Sequence, residues 1–578
     1  MSCYFKYYNL VNQHGKLKKH LLPRFEVLLL IVSTCAYLLL ALSSLRVGGI
    51  SVDEHIEAWG LIDNLRHGAR IISGEYSNYK NIVQDLEFYG IVNKLPGLLM
   101  WALKHPGEIA RIFSNEDAFE LLGDMGESGY YAYSHIASIG FYILTLPIVA
   151  LISIKCKVRN FLAPVLLCLW WPSFVGHSLM NIKDIPFALF YCSYTLSLIL
   201  RVGKKRSGQS PLMRAFSAAC AACLISMKFP SLVPVFVSEI VLSLVTYKKP
   251  SIDRSIQHKH SDIRLLIDYL RFFARSIIPF LFLTLSLAYT LTPSSWNDPF
   301  SFMKDSFELH TNHNWGNCTW LDGSCLGKAV DPNGWSTFSY VLGWTGVQLP
   351  VLILFLLLLG GISLVVYLAS SRLAHQDKFH KTSKNIPLLF VSLQAFLLPV
   401  MAVINNSTLY GTLRHFTFSI PPLAILCIFG GERFGDILPK SKKTVIALAL
   451  TLSTILVIDN LLLNPYQYVY MNELSRTRID LSKTELDYWG FSSGELMRKV
   501  SRSEPDNFGF IIGHVPMFVT YYDVLGRTLV PDGPRFNAHF MVHNLLKDSS
   551  ACREMAVVRR RLLASDEFIL SKAYLCNE

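Results

Sequence analysis

Long apolar runs recur along this chain, and they restrict its fold more than any other feature. Several reach the roughly 20 residues that an α-helix needs to cross a hydrocarbon core. No water is available there to satisfy a free backbone N–H or C=O, so runs of this kind must be helical. Charged residues make up only 17% of the 578, against about 25% in an ordinary soluble protein. The hydrophobic surplus is therefore expected to face lipid. Hydropathy places about eleven spans, near 25–45, 131–154, 161–176, 184–200, 214–229, 231–247, 277–292, 349–369, 386–404, 416–430 and 444–463. The first is too long for a cleaved signal and reads as a retained signal anchor. The short pair at 214–247, joined by Lys228-Phe-Pro-Ser, reads as a tight hairpin or a partly re-entrant segment.

The basic residues orient these spans. Segments 1–24, 155–159, 201–214, 248–275, 372–384 and 431–443 hold 28 Lys and Arg, and the opposite loops hold about 12, the tail left aside. The positive-inside rule then puts the N-terminus in the cytoplasm. It puts the first loop (46–130), the loop at 293–336 and the tail (464–578) on the outer side. The net charge of +12 follows from this clustering, and no nucleic-acid module is evident. The expected fold is an all-α polytopic membrane protein. A basic N-terminus (1–24) precedes a transmembrane region (25–463), and a small extracytoplasmic α/β domain follows.

The outer segments carry the chemistry-bearing residues. Asp53-Glu54 lies just past the first span, at the head of a helix expected over Asp53–Arg70. Two carboxylates at a membrane surface suit a general base. Leu95-Pro-Gly-Leu-Leu-Met-Trp-Ala-Leu is apolar and aromatic enough to lie at the interface. His177-Ser-Leu-Met-Asn181-Ile-Lys183-Asp184 sets four polar side chains between two spans, where they are costly unless paired or wet. Lys183 suits a phosphate as a point charge. His310 and His313 have the spacing of a helical turn, with no third ligand, so cavity lining outranks a metal site. A divalent metal is compatible with the loops but no pattern calls for one. Tyr410-Gly-Thr-Leu-Arg414-His415 stands at the outer end of a span, and Arg414 has the fork geometry to grip a phosphate. Glu239, mid-span, is a functional candidate because an intramembrane acid usually has a role. Cys318, Cys325, Cys552 and Cys576 fall on the outer side and suit two disulfides, whereas Cys220 and Cys223 suit helix packing. Asn317-Cys-Thr and Asn406-Ser-Thr fit the glycosylation-acceptor pattern. In the tail, Phe508-Gly-Phe-Ile-Ile reads as a strand and Ala556–Ala564 as a basic helix.

Taken in order, Asp53-Glu54, Gly176-His-Ser-Leu-Met-Asn-Ile-Lys-Asp-Ile-Pro186, Tyr410-Gly-Thr-Leu-Arg-His-Phe416, Asn464-Pro-Tyr-Gln-Tyr-Val-Tyr-Met-Asn472 and Leu486-Asp-Tyr-Trp-Gly490 resemble the GT-C membrane glycosyltransferases. The nearest branch is that of the dolichyl-phosphate-mannose–protein mannosyltransferases and the bacterial aminoarabinose transferases. The resemblance implies a polyprenyl-phosphate sugar donor and inverting transfer to a glycan, lipid or protein hydroxyl at the outer face, without a nucleotide sugar. It implies Asp53 as base, Glu54 in support, and Arg414, Lys183 and His415 around the donor phosphate. His177, Asn181, Asp184, His310, His313 and Tyr410 would line the substrate cavity. The 293–336 loop is too short for the three repeats found in eukaryotic protein mannosyltransferases, which points to a bacterial-type member of the inner membrane. The alternative is a transporter or lipid flippase without covalent chemistry, though no similarity between halves of the chain supports it.

Overall fold

A computed structural model describes residues 24–75, 88–202, 210–247, 261–313, 318–327, 335–373, 386–503, 535–540 and 552–576. Helices occupy all eleven segments expected to span, but they differ in kind. Seven are long and apolar enough to cross a membrane, and an eighth is a bent pair, Ser336–Gln348 with Val351–Ser363, turned by 113° at its break. The lipid-facing surface is plain on Arg24–Val47, where Leu28, Leu39 and Leu42 are more than half exposed.

The remaining apolar helices are shorter, and some are interior. The segment expected at 161–176 is two helices, Ala163–Trp170 and Pro172–Ser178. Pro172 offers no N–H, and Trp171 before it is extended, as a residue preceding proline prefers. Asp184–Arg201 is almost entirely buried. The broken helices leave polar backbone deep in the protein, where side chains or neighbouring turns must satisfy it. Gly176 allows one such approach, because a Cβ there would fall 2.2 Å from the Tyr468 nitrogen. At the 348–351 break, Asn472 performs the same service. Its amide donates to the carbonyls of Gly346 (2.6 Å) and Leu349 (3.0 Å).

The segment between the first two long apolar helices holds the amphipathic helix Val52–Ile72, which contains the expected 53–70 segment, and the short apolar helix Leu95–Lys104. In the segment expected as the 293–336 loop, strands β1 (Thr319–Leu321) and β2 (Ser324–Leu326) form a two-residue hairpin. Its turn residues Asp322 and Gly323 both have positive φ, the geometry that matches strand twist. A disulfide joins Cys318 to Cys325. The hairpin rests on the tail through Gly323 N–H to Lys483 O (2.9 Å) and Glu485 N–H to Trp320 O (2.8 Å).

The tail contains a helix, Ser493–Ser503, packed on an antiparallel sheet of β3 (Arg535–Phe540), β5 (Phe568–Cys576) and β4 (Cys552–Arg560), in that order. The basic helix expected at Ala556–Ala564 is therefore a strand over most of its length. Burial alternates there, with Ala556 and Val558 inside and Val557 between them less so, and pairing along β5 outweighs helix propensity. The strand expected at Phe508–Ile512 lies outside the described residues. So do Asn317 and the side chains of Cys552 and Cys576, though the register sets those two cysteines opposite each other. Cys220 and Cys223 are free thiols within a helix. Asn406 turns inward and accepts from the Ser336 and Thr337 hydroxyls.

The tail is fastened to the last span by a buried pair. Arg476 donates to both oxygens of Asp459 (3.0 and 2.6 Å), and Asp459 also accepts from Leu563 N–H (2.8 Å). Breaking such a pair leaves a buried charge alone and costs about 3–5 kcal/mol. Arg476→Ala is therefore expected to lower the unfolding temperature in detergent by several degrees and to speed proteolysis of the tail, both read on the purified protein.

Candidate active site

Asp53 stands in the first turn of Val52–Ile72, and Glu54 accepts from Ser51 N–H (2.6 Å) to hold that turn. The second oxygen of Glu54 meets His135 Nε2 at 2.6 Å. Glu54 is thereby buried against the span Tyr130–Lys155, while Asp53, 27% exposed, points the other way. Across from Asp53 is Arg414, whose Nη1 donates to Asp53 Oδ2 at 2.8 Å.

Arg414 is presented by a tight turn. Gly411 and Thr412 both have φ of 61°, and a Cβ on Gly411 would come within 3.0 Å of Arg414 Nε. Gln348 bridges this turn to the 464–472 segment, accepting from Leu413 N–H (3.2 Å) and donating to Tyr468 O (3.1 Å). The guanidinium lies 4.6 Å from the Tyr410 ring centre and 4.9 Å from that of Trp489. Both faces favour a cation. Trp489 is aimed by Asp487, which accepts from the backbone N–H groups of Phe491 and Ser492 (3.0 Å each) and from the Tyr468 hydroxyl.

Two lysines approach from breaks between membrane helices. Asn181 accepts from the N–H groups of Lys183 (3.0 Å) and Asp184 (2.8 Å), and its amide donates to Asp184 Oδ2 (2.8 Å). His177 Nδ1 lies 3.1 Å from that amide, and its Nε2 lies 3.3 Å from the Tyr488 hydroxyl. Asp184 in turn pairs with Lys228, from the turn before Phe229–Ser231. Lys183 sits 3.7 Å above the Tyr89 ring centre and 3.0 Å from Glu57 Oε1, whose other oxygen is 2.8 Å from Lys94. Burial alone would raise the Glu57 carboxyl, but Lys183 and Lys94 outweigh it and hold the group down to about 2.

These groups surround a cavity of about 200 Å³. Its polar end is made by Asp53, Lys183, Asp184, Lys228, Arg414 and His415, with His313 and Tyr410 beside them. The lining also includes the apolar side chains of Phe307, Leu309, Leu398, Met401, Ala402 and Phe418. Seven of the residues expected at the site thus converge on one space. Glu54 does not line it: its carboxylate is used by the helix start and by His135, so it supports Asp53 from behind. His177 and Asn181 also lie behind the wall and hold Asp184. The His310 side chain is outside the described residues. Glu239 is a further correction, since Arg201 takes both its oxygens (2.5 and 2.8 Å) inside the helix bundle, away from the cavity. The sequence reading did not single out Lys228, Glu57, Lys94 or Tyr89 for the site. Lys228 had a signal, because a lysine flanked by two apolar runs carries the same cost as Lys183. Among the described residues no cluster of three metal-ligating side chains is present.

No protein-family model matches the chain, and no curated protein matches it. Among solved structures, ArnT from Cupriavidus metallidurans bound to undecaprenyl phosphate is similar at 10% identity, over 94% of this chain and 97% of that one, with a TM-score of 0.40. The same protein in the apo state gives 11% identity over the same shares and a TM-score of 0.37. The Archaeoglobus fulgidus oligosaccharyltransferase, in complex with Zn and sulfate, gives 11%, 86% of this chain, 61% of that one and 0.36.

Glu485 supplies a pH-dependent term. It is buried close to Arg414, and burial pushes its carboxyl up to about 7 from an ordinary value of 4.5. The folded protein then holds a proton that the unfolded chain has released, so stability falls as pH rises from about 4.5 to 7. Glu485→Gln is expected to flatten this slope, as read from unfolding temperatures at pH 5 and pH 8.

Proposed function

We propose that this protein is a GT-C type glycosyltransferase that moves a sugar from a polyprenyl phosphate to an acceptor hydroxyl on the outer face of the membrane. The observation that carries this reading is the cavity itself, where a partly exposed carboxylate and three cations share one space with a set of apolar side chains. That combination suits a lipid phosphate with its chain along the apolar side chains, and it places a base where the sugar would lie. A transporter of neutral solutes would have no use for such a cation cluster, whereas a lipid flippase would, and the transfer assay below separates it from the transferase.

The reaction is a single displacement. Asp53 accepts the acceptor's hydroxyl proton as that oxygen bonds to the anomeric carbon. The bond from the anomeric carbon to the phosphate oxygen breaks, and the electron pair leaves with the polyprenyl phosphate. Attack from the face opposite the leaving group inverts the anomeric centre. Charge grows on the phosphate as the bond breaks, and prearranged cations stabilise that charge most. Arg414 and Lys183 take this role, joined by Lys228. In the resting site Asp53 is occupied by Arg414, so a phosphate that draws Arg414 away also frees the base. Glu54 and His135 fix the helix turn that aims Asp53. The N-terminus is assigned to the cytoplasm and the tail to the outer side by the distribution of basic residues.

Two outcomes test this. Purified protein supplied with radiolabelled polyprenyl-phosphate sugars and a membrane extract should transfer label. Asp53→Asn should lower the rate at least about a hundredfold with the fold intact. Full transfer by a folded Asp53→Asn would remove Asp53 as base, and lipid movement without transfer would favour the flippase. Arg414→Ala should raise the donor KM far more than the acceptor KM, and equal effects would argue against a phosphate contact.

A further inference from the structure

Lys94 and Glu57 are two ionisable groups near the cavity that the proposed reaction leaves unused. Lys94 is 2% exposed and does not line the cavity. Its ammonium meets the far oxygen of Glu57 (2.8 Å), while the near oxygen holds Lys183 (3.0 Å), and the Glu57 side chain is 3% exposed. A lysine is rarely buried this completely, and doing so costs several kcal/mol unless its charge is used. A single carboxylate facing Lys183 would cancel it. With Lys94 behind, the one negative charge is shared by two positive ones, and the group of three keeps a net charge of +1.

The other two pairs at the cavity are each balanced. Arg414 faces Asp53, and Lys228 faces Asp184. The excess positive charge of the polar end therefore comes from Lys94, Glu57 and Lys183 together, and Lys183, 20% exposed, is the member that opens on the cavity. We infer that Lys94 is a positioning residue that sets the charge of the anion site through Glu57, so that Lys183 meets a lipid phosphate as an uncompensated cation. This rests on the polyprenyl-phosphate reading above and adds that the affinity is controlled from a residue the ligand never touches.

Charge-reversing logic separates this role from simple support of the fold. Binding of decaprenyl phosphate in detergent micelles would be measured for the parent, Lys94→Met, Glu57→Gln and the double variant, with decaprenol as the uncharged control. Lys94→Met makes the group neutral and should weaken binding on the order of tenfold. Glu57→Gln removes the negative charge beside Lys183 and should bind at least as tightly as the parent. The double variant returns to +1 and should recover affinity near that of the parent, as should Lys94→Arg, which keeps the charge. A double variant no tighter than Lys94→Met, or two single variants that both weaken binding, would overturn the inference and leave the transferase reading standing. If Lys94→Met does not fold, Glu57→Gln alone reads the same charge from the other side, and weaker binding by it counts against the inference. A parent that binds decaprenyl phosphate no better than decaprenol would overturn both.

Discussion

Arg414 and Asp53 are 361 positions apart, and the ion pair between them, 2.8 Å long, is where the architecture converges. Each partner is delivered by a separate device. The start of Val52–Ile72, held by Glu54, aims the carboxylate. The positive-φ turn at Gly411-Thr412 aims the guanidinium, with Tyr410 and Trp489 on either side. Trp489 belongs to the tail, so the tail helps to hold Arg414 from behind the cavity. The Asp459–Arg476 pair and the disulfide-closed hairpin keep the tail seated.

Charges this deep in a membrane protein are affordable only in groups. Isolated ions cost several kcal/mol each, whereas paired ions with further hydrogen bonds recover most of that. The cavity follows this rule with two pairs and one group of three. Helix breaks make it feasible, because Lys183 and Lys228 both sit where a span has ended and the backbone has turned. Apolar side chains, drawn in part from the span Ile386–Ile404, complete a site lined by both charged and oily groups. A substrate with a phosphate head and a long hydrocarbon chain combines the same two kinds of group.

Much of this was legible in the residue order. Apolar runs announced the helices, because their length is set by the bilayer rather than by tertiary context. Asp53, Lys183, Asp184 and Arg414 stood out since charge beside a span demands a reason. Direction was harder to read. Asp53 and Glu54 are neighbours, yet a helix turns successive residues about 100° apart, so one faces the cavity and the other the protein interior. Glu57 and Lys94 are ordinary in sequence and acquire meaning only when folding sets them together. The β4 strand was misjudged for a related reason, since a short segment with mixed pattern takes its structure from the strand it meets, β5, and not from its own preference. Glu239 was recognised as a costly buried acid, but its partner Arg201 lies on another helix and makes the pair structural.

The central claim is that a lipid phosphate replaces Asp53 at Arg414. The most direct measurement is an experimental structure determined by electron microscopy with added polyprenyl phosphate. The phosphate should lie within hydrogen-bond distance of Arg414 and Lys183, with Asp53 released from Arg414 and the hydrocarbon chain along Leu398, Met401 and Phe418. A phosphate bound elsewhere, or an Asp53–Arg414 pair left intact beneath a bound lipid, would contradict the account.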